Sequence, residues 1–384
     1  MNYASMPSIV AAQLHDQIAS GGEMLLLDVR DPDTCRSFPF EPPRPVPTRN
    51  IPYQEFLQDI EGGLRELPSP DEAGRIVCFC YRGVTAVGVV QALRAAGYRA
   101  ENLEGGMRAW AELVVAAEVP GSKALDGETA LLQLRRLGKG CLGYALVSRG
   151  EALLVDVGRN VEAALEAVAE RGARVVRVAD THLHADHISG GPAVARETGA
   201  EYVLPPADGK DVALKYQPVT DGTVWRVGGV EVRALHTPGH TDGSTSYLVG
   251  GRYLLTGDTL FVTGVGRPDL SGQGERLARV LHRTLTTTLM ALPDRVEVLP
   301  AHISGRAEIG SEGVAAASLA ELKRTTLARL SRDPDTFARD LLAALPAQPP
   351  NYETIRAANR GVAVEDPSEL EYGPNRCAVT GGRL

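Results

Sequence analysis

THLHADHISGG (181–191) sets three histidines and an aspartate in one short loop, directly after RVVRVAD (174–180), an apolar run that reads as a strand. Three more motifs follow strands in the same way. HTPGHTDGS (236–244) comes after VEVRAL (230–235), TGDTLFVTGVGRPDL (256–270) after RYLLT (252–256), and PAHISG (300–305) after VEVLP (296–300). Loops at the carboxyl ends of strands converge on one edge of a sheet, so the motifs predict a single cluster. It collects His182, His184, Asp186, His187, His240, Asp258 and His302. Imidazoles and carboxylates are ligands for borderline metals such as zinc and iron. Gly190, Gly191, Gly239 and Gly257 let the backbone turn close to such an ion. One isolated histidine is more often a hydrogen-bonded core residue than a ligand. Five of the eight histidines, joined by two aspartates in four strand-end motifs, point instead to a metal edge. His15, His236 and His282 stay outside it, with His236 near enough to support a ligand.

H-x-H-x-D-H, then the histidine of T-P-G-H-T, the aspartate of G-D-T and the histidine of P-A-H resemble the metallo-β-lactamase fold over roughly 129–310. The resemblance implies an αββα sandwich with metals at one edge. That fold hosts hydrolases, nucleases and oxygenases, so it leaves the reaction open. The G-R-P-D-L that follows the metal aspartate is similar to the persulfide dioxygenases. This likeness implies one Fe(II) per chain, held by His182, His240 and Asp258, a two-histidine, one-carboxylate triad with open positions for O2 chemistry. His184, Asp186, His187 and His302 then surround the iron as polar groups that orient its ligands. The implied substrate is glutathione persulfide or a similar small persulfide, oxidised to sulfite and free thiol. Arg267 is the candidate contact for the thiol's carboxylate, against an ion pair with Asp269; Tyr247, on a strand, is expected in the core. One position departs from the pattern: Ile303 stands where single-domain persulfide dioxygenases commonly carry aspartate. The rival keeps the fold. All seven side chains of a two-metal hydrolase are present, as in the glyoxalase II group, where two zinc ions would activate a bridging water for thioester cleavage.

A second motif lies upstream. RIVCFC (75–80) reads as a buried strand, and Cys80-Tyr81-Arg82-Gly83-Val84-Thr85 leads into the amphipathic helix VTAVGVVQALRAAG (84–97). A cysteine loop at a helix N-terminus favours an anion and a reactive sulfur. Cys78, inside the apolar run, reads as structural, and Cys35, Cys141 and Cys377 carry no motif. The loop resembles the active-site loop of the rhodaneses, with LLLDVRD (25–31), NIP (50–52) and NLEGGMRAW (102–110) as further landmarks over about 8–115. The likeness implies a Cys80 persulfide, with Arg82, Gly83 and Thr85 around the sulfur and thiosulfate or sulfite as partner. A phosphatase loop needs arginine six residues after the cysteine; here that position is Ala86. Asp28 and Arg30 read as a structural pair.

At 384 residues the chain is long for one domain. The expected division is a rhodanese-like α/β domain at 1–118, a linker at 119–128, a metallo-β-lactamase-fold domain at 129–330, and a helical extension with a loose tail at 331–384. A net charge of −8 disfavours nucleic acid. No apolar run is long enough for a membrane span. MNYASMPSIV shows no secretory pattern, and five scattered cysteines form no disulfide framework; both fit the cytoplasm. A homodimer is the base-rate assembly. The combined expectation is a bifunctional enzyme of sulfur metabolism.

Overall fold

The computed structural model describes residues 6–330, 333–373 and 375–380. The chain forms two compact units. One is Met1–Leu113 with Leu137–Lys139 and Tyr372–Pro374; the other is Val114–Arg136 with Gly140–Glu371 and Asn375–Leu384.

The first unit holds five strands, β1 (Ser8–Ile9), β2 (Leu25–Asp28), β3 (Thr48–Asn50), β4 (Arg75–Phe79) and β5 (Arg99–Leu103), in the order β1-β5-β4-β2-β3. Every pairing is parallel. Leu25, Leu27, Ile76 and Cys78 meet Ala86, Val89, Val90 and Leu93 of the helix Ala86–Ala95 in one core. Leu26 and Val77, on the opposite face, are equally buried. A parallel sheet covered on both faces needs continuous apolar runs, and LLL and IVCF supply them. Asp28 and Arg30 form a buried ion pair, Nη2 to Oδ2 at 2.6 Å.

The second unit is the αββα sandwich. Its first sheet contains β6 (Val114–Glu118), β7 (Ala130–Arg136), β8 (Leu142–Ser148), β9 (Glu151–Val155), β10 (Arg174–Ala179), β11 (Glu201–Leu204) and β12 (Gln217–Pro218), laid side by side in chain order. The second sheet starts with β13 (Val224–Val227), β14 (Val230–His236), β15 (Thr245–Val249) and β16 (Tyr253–Leu255). The chain leaves it for β17 (Gly264–Gly266), then returns for β18 (Glu297–Leu299) and β19 (Ala317–Ser318). Leu146, Leu153 and Ala179 from the first sheet share a core with Val232, Tyr247 and Leu255 from the second. Helices cover each outer face. Glu162–Ala169 and Gly191–Thr198 close over the first sheet; Gly274–Arg283, Leu319–Arg324 and Pro334–Ala343 close over the second.

The structure departs from the sequence-based expectation at four places. The units meet at Leu113/Val114 rather than at 118, because Val114–Glu118 pairs antiparallel with β7. The stretch expected as linker belongs to the second unit: Val119 is buried, and the Pro120 carbonyl accepts from the Tyr253 hydroxyl at 2.8 Å. The alanine-rich run before Leu319 suggests helix by propensity, yet it pairs with β18 and with Gln133, whose amide exchanges two hydrogen bonds with Ala315. Tertiary pairing outweighs intrinsic preference there. The expected loose tail ends in β20 (Ala378–Thr380), antiparallel to β17. Residues 331–332, 374 and 381–384 of the expected extension lie outside the described residues.

Candidate metal centre and cysteine loop

Cys80 follows β4 directly and is 5% exposed. Its loop is shaped by a neighbouring turn. The Met107 and Arg108 N–H groups donate to the carbonyls of Cys80 and Tyr81 at 2.9 and 3.0 Å, and Asn102 Nδ2 donates to the Gly83 carbonyl at 2.9 Å. Glycine is required on both sides of this contact. Gly83 has φ +73° and a Cβ there would lie 2.7 Å from the Leu103 carbonyl; Gly106 has φ +57° and a Cβ would lie 2.2 Å from the Cys80 carbonyl. Thr85 stands directly before the helix Ala86–Ala95, without a side-chain capping bond, so the helix's positive end follows the loop. Arg82 is exposed, its guanidinium 5.7 Å from the Tyr81 ring centroid. Tyr372, in the segment expected as a loose tail, sits edge-on against Tyr81 and Phe38 at 4.8 Å. Burial pushes the Cys78 thiol up, and burial beside Asp28 pushes Cys35 to about 12.

The seven side chains of the four strand-end motifs meet in one buried cluster, each at most 2% exposed. His182, His240 and Asp258 form one group, with Asp258 Oδ2 3.9 Å from His182 Nε2 and 3.6 Å from His240 Nε2. Each ring is fixed by its other nitrogen. The Thr181 hydroxyl donates to Asp156 Oδ2 at 2.9 Å, so its oxygen accepts from His182 Nδ1 at 2.9 Å. His240 Nδ1 donates to the Arg267 carbonyl at 2.7 Å. His184 Nε2 donates to Asp156 Oδ1 at 3.1 Å. Burial opposes charge on His184, but Asp156 raises its pKa well above the usual histidine value. Among the described residues, the nitrogens left over, His182 Nε2 and His184 Nδ1, are buried without hydrogen-bond partners, as is His187 Nε2, while Asp258 Oδ1 and His302 Nε2 face each other at 3.1 Å. An unmet buried polar atom costs about 1–3 kcal/mol, and a cation satisfies several together. The donor set therefore fits a metal. Gly257, with φ +53°, permits the closest approach: a Cβ would lie 2.4 Å from Thr181 Oγ1.

Several groups holding this edge carry no motif. Asp156, at φ +51°, also accepts from the Thr181 N–H at 2.7 Å. Asp208 accepts from the Leu183 and Gly243 N–H groups, both at 2.9 Å, tying two ligand loops together. Asn359 Nδ2 donates to the carbonyls of His184 and His187, both at 2.9 Å. Glu371 accepts from the Ile188 N–H at 2.5 Å and from Arg136 and Arg159 at 2.6 and 2.8 Å. Asn375 Nδ2 donates to Asp186 Oδ2 at 2.8 Å. Two cysteines without motifs also join the cluster: Cys141 with Asp186, His187 and His302, and Cys377 with Asp258 and His302. His236 is exposed, and its Nε2 donates to the Asp242 carbonyl at 2.9 Å rather than supporting a ligand. Tyr247 lies in the core, as expected.

Arg267 requires a correction. It is 1% exposed, and its guanidinium is fully engaged. Nε and Nη2 form a fork on Asp269 at 2.7 and 2.9 Å; Nη1 donates to the Ala347 and Arg376 carbonyls and Nη2 to Pro346, at 3.0–3.1 Å. With all five donors used, it has none for a substrate carboxylate. Cationic groups are found instead around a cleft of about 150 Å³ that reaches His240 and includes Lys210, Arg356 and Arg360. Arg360 Nε is buried without a partner among the described residues. Ile303 packs in the inter-sheet core, with Cγ1 3.1 Å from where a Gly140 Cβ would stand.

Comparison with known proteins agrees with this architecture. A model described as the metallo-beta-lactamase superfamily matches residues 138–302, and a rhodanese-like domain model matches residues 10–113. A hydroxyacylglutathione hydrolase of Anaeromyxobacter dehalogenans is 35% identical over 252 residues, covering 63% of this chain and 93% of the relative. The chain spans about half of another, from Methylococcus capsulatus: 38% identity, 36% of this chain and 52% of the relative. Among solved structures, ETHE1 from Myxococcus xanthus is 32% identical with a TM-score of 0.52, covering 59% of this chain and 96% of that one. A metallo-beta-lactamase from Staphylococcus aureus is 26% identical with a TM-score of 0.57, covering 62% and 74%.

Proposed function

From a chain that belongs to the metallo-beta-lactamase superfamily and carries a rhodanese-like domain, we propose a bifunctional enzyme of sulfur metabolism. The second unit oxidises glutathione persulfide, or a similar small persulfide, and the first moves sulfane sulfur between thiosulfate or sulfite and a thiol through Cys80. The observation that carries the oxidative reading is the His182–His240–Asp258 group, two imidazoles and one carboxylate within 4.8 Å of one another. That set suits a single ferrous ion. When bound, the iron supplies open positions and redox chemistry for joining O2 to sulfur. The likeness to ETHE1 and the G-R-P-D-L motif fit the same reading.

The chain's own residues do the rest. Asp156, through Thr181, and the Arg267 carbonyl aim His182 and His240. Lys210, Arg356 and Arg360 offer positive charge to the substrate's carboxylates in the cleft beside His240. The net reaction consumes one O2 and one water per persulfide and yields sulfite, the free thiol and two protons. In the first unit, the Cys80 sulfur attacks the outer sulfur of thiosulfate. The S–S bond breaks and sulfite leaves with the electron pair. A thiolate then takes the outer sulfur from the Cys80 persulfide and releases Cys80.

The decisive measurement is O2 uptake with glutathione persulfide by protein produced with iron, alongside its metal content. Uptake with one iron per chain supports the proposal; an iron-loaded sample without uptake overturns it. The competing reading, a two-metal thioester hydrolase, is favoured by the names of the hydroxyacylglutathione hydrolase relatives. It requires two metals and oxygen-independent cleavage of a glutathione thioester.

A further inference from the structure

The helix Gly274–Arg283 runs directly into TLTTTL (284–289), where the backbone hydrogen bonds widen to span five residues. The Met290 N–H, for example, donates to the Leu285 carbonyl at 3.0 Å. The sequence accounts for the change of pitch. Leu277, Leu281, Leu285 and Leu289 recur at every fourth position, and all four are fully buried. In a regular helix each such step overshoots a full turn by about 40°, so the last leucine would swing about 120° from the first and out of the core. The wider turns, with more residues in each, cancel part of that drift. Threonines steady them: the Thr286 and Thr287 hydroxyls donate to the His282 and Arg283 carbonyls, both at 2.8 Å. Turns of this kind recur at functional sites.

Thr284 differs from its neighbours. Its hydroxyl leaves the helix and donates to the Pro238 carbonyl at 2.7 Å. Proline has no N–H, so this carbonyl is the one polar main-chain group by which Pro238 can be held. The loop presses onto the same helix beside that bond: a Cβ on Gly239 would lie 2.5 Å from the Leu281 Cα and Cβ. The peptides leading into His240 are thus held one after another. The Thr237 carbonyl accepts from the Thr259 hydroxyl at 3.1 Å, the Pro238 carbonyl from Thr284, and the Gly239 N–H donates to the Thr241 carbonyl at 2.9 Å. The Arg267 carbonyl fixes the rotation of the buried His240 ring; the backbone bonds fix where that ring starts. We propose that Thr284 is a positioning residue for His240. Its hydroxyl, presented where the helix widens, sets the point from which the imidazole reaches His182 and Asp258. The proposal rests on the reading of His240 as a metal ligand, but it does not depend on the dioxygenase reaction.

Cobalt binding by the full-length protein tests this without turnover. Thr284→Val keeps the branched side chain and removes the hydroxyl. Cobalt affinity, measured by chelator competition, should fall about tenfold, the lower end of the range for groups that orient metal ligands. The d–d absorption bands of the bound cobalt should shift with the altered geometry. Thr284→Ser retains the hydroxyl and should match the wild type in both. Thr287→Val removes an exposed hydroxyl from the same segment and should change neither. Thr284→Ala carries the same expectation as the valine and keeps the test intact where valine does not fit. Wild-type affinity and bands in the hydroxyl-free variants overturn the proposal. An equal loss in Thr287→Val also overturns it, because the effect would then belong to the helix and not to the bond with Pro238. A wild-type protein that binds no cobalt would reject the metal-centre reading and the proposal with it, whereas unchanged binding in Thr284→Val rejects the proposal alone.

Discussion

The two candidate centres are built in opposite ways. At Cys80 the machinery is local: six consecutive residues between one strand and one helix, held by backbone hydrogen bonds from the adjacent turn. At the metal edge, donors come from four loops spread over more than a hundred residues, and side chains hold nearly every ring in place. A local site depends on backbone shape. A distributed site depends on all the residues that brace it. The largest effects should therefore separate the two centres cleanly. Cys80→Ser should abolish thiosulfate:thiol sulfur transfer while O2 uptake with supplied persulfide continues. His240→Ala should do the reverse and lower iron content. Residual sulfur transfer in Cys80→Ser at the wild-type rate would remove Cys80 from the mechanism.

This difference also explains what could be read from the sequence. Cys80, its glycine and the following helix are contiguous, so the whole loop was legible. The seven metal-edge side chains were legible because each ends a strand in a short motif. Their supports were not. Asn359, Glu371 and Asn375 reach the site only through the fold of the C-terminal segment, and no spacing marks a polar residue that will meet a partner 172 to 189 residues upstream. Arg267 shows the converse error. Its motif was visible, but the carbonyls that saturate its guanidinium come from positions 346, 347 and 376. It acts on the centre through its own carbonyl and His240.

Bracing should therefore matter for stability in the second unit. Glu371 is fully buried at its side chain and joins Arg136 and Arg159. Glu371→Ala leaves two guanidiniums short of a partner and should cost about 3–5 kcal/mol in denaturant unfolding. The sign with pH follows from its charge state. Burial raises the Glu371 pKa, yet Arg136 and the Ile188 N–H hold it below the usual glutamate value. Its stabilisation is thus present above the unfolded-state pKa and fades as pH falls through the lower folded value. An acid-unfolding curve unchanged by Glu371→Ala would show that the cluster carries no such load.

Smaller effects should come from groups that only aim a ligand. Asp156→Asn keeps the side chain's shape but weakens its hold on Thr181 and His184. Metal affinity should drop about 10–100-fold, as for other outer partners of metal ligands, with sulfur transfer at Cys80 untouched. Chelator competition measures this directly, and an unchanged affinity would mean that the backbone alone fixes the rings.

The mildest test concerns substrate recognition and pits two arginines against each other. Arg356 lines the cleft beside His240 and lends one N–H to the Leu270 carbonyl, so donors remain for a carboxylate. Arg356→Ala should raise KM for glutathione persulfide about tenfold, equivalent to roughly 1.4 kcal/mol, with little change in kcat. Arg267→Lys loses the planar fork on Asp269 and the contacts to three carbonyls. It should lower stability and disturb the iron through His240, without a selective rise in KM. A KM effect confined to Arg267→Lys would return the carboxylate to that residue. It would also require its donors to leave the carbonyls they now fill, since a saturated guanidinium has no N–H left with which to recognise a substrate.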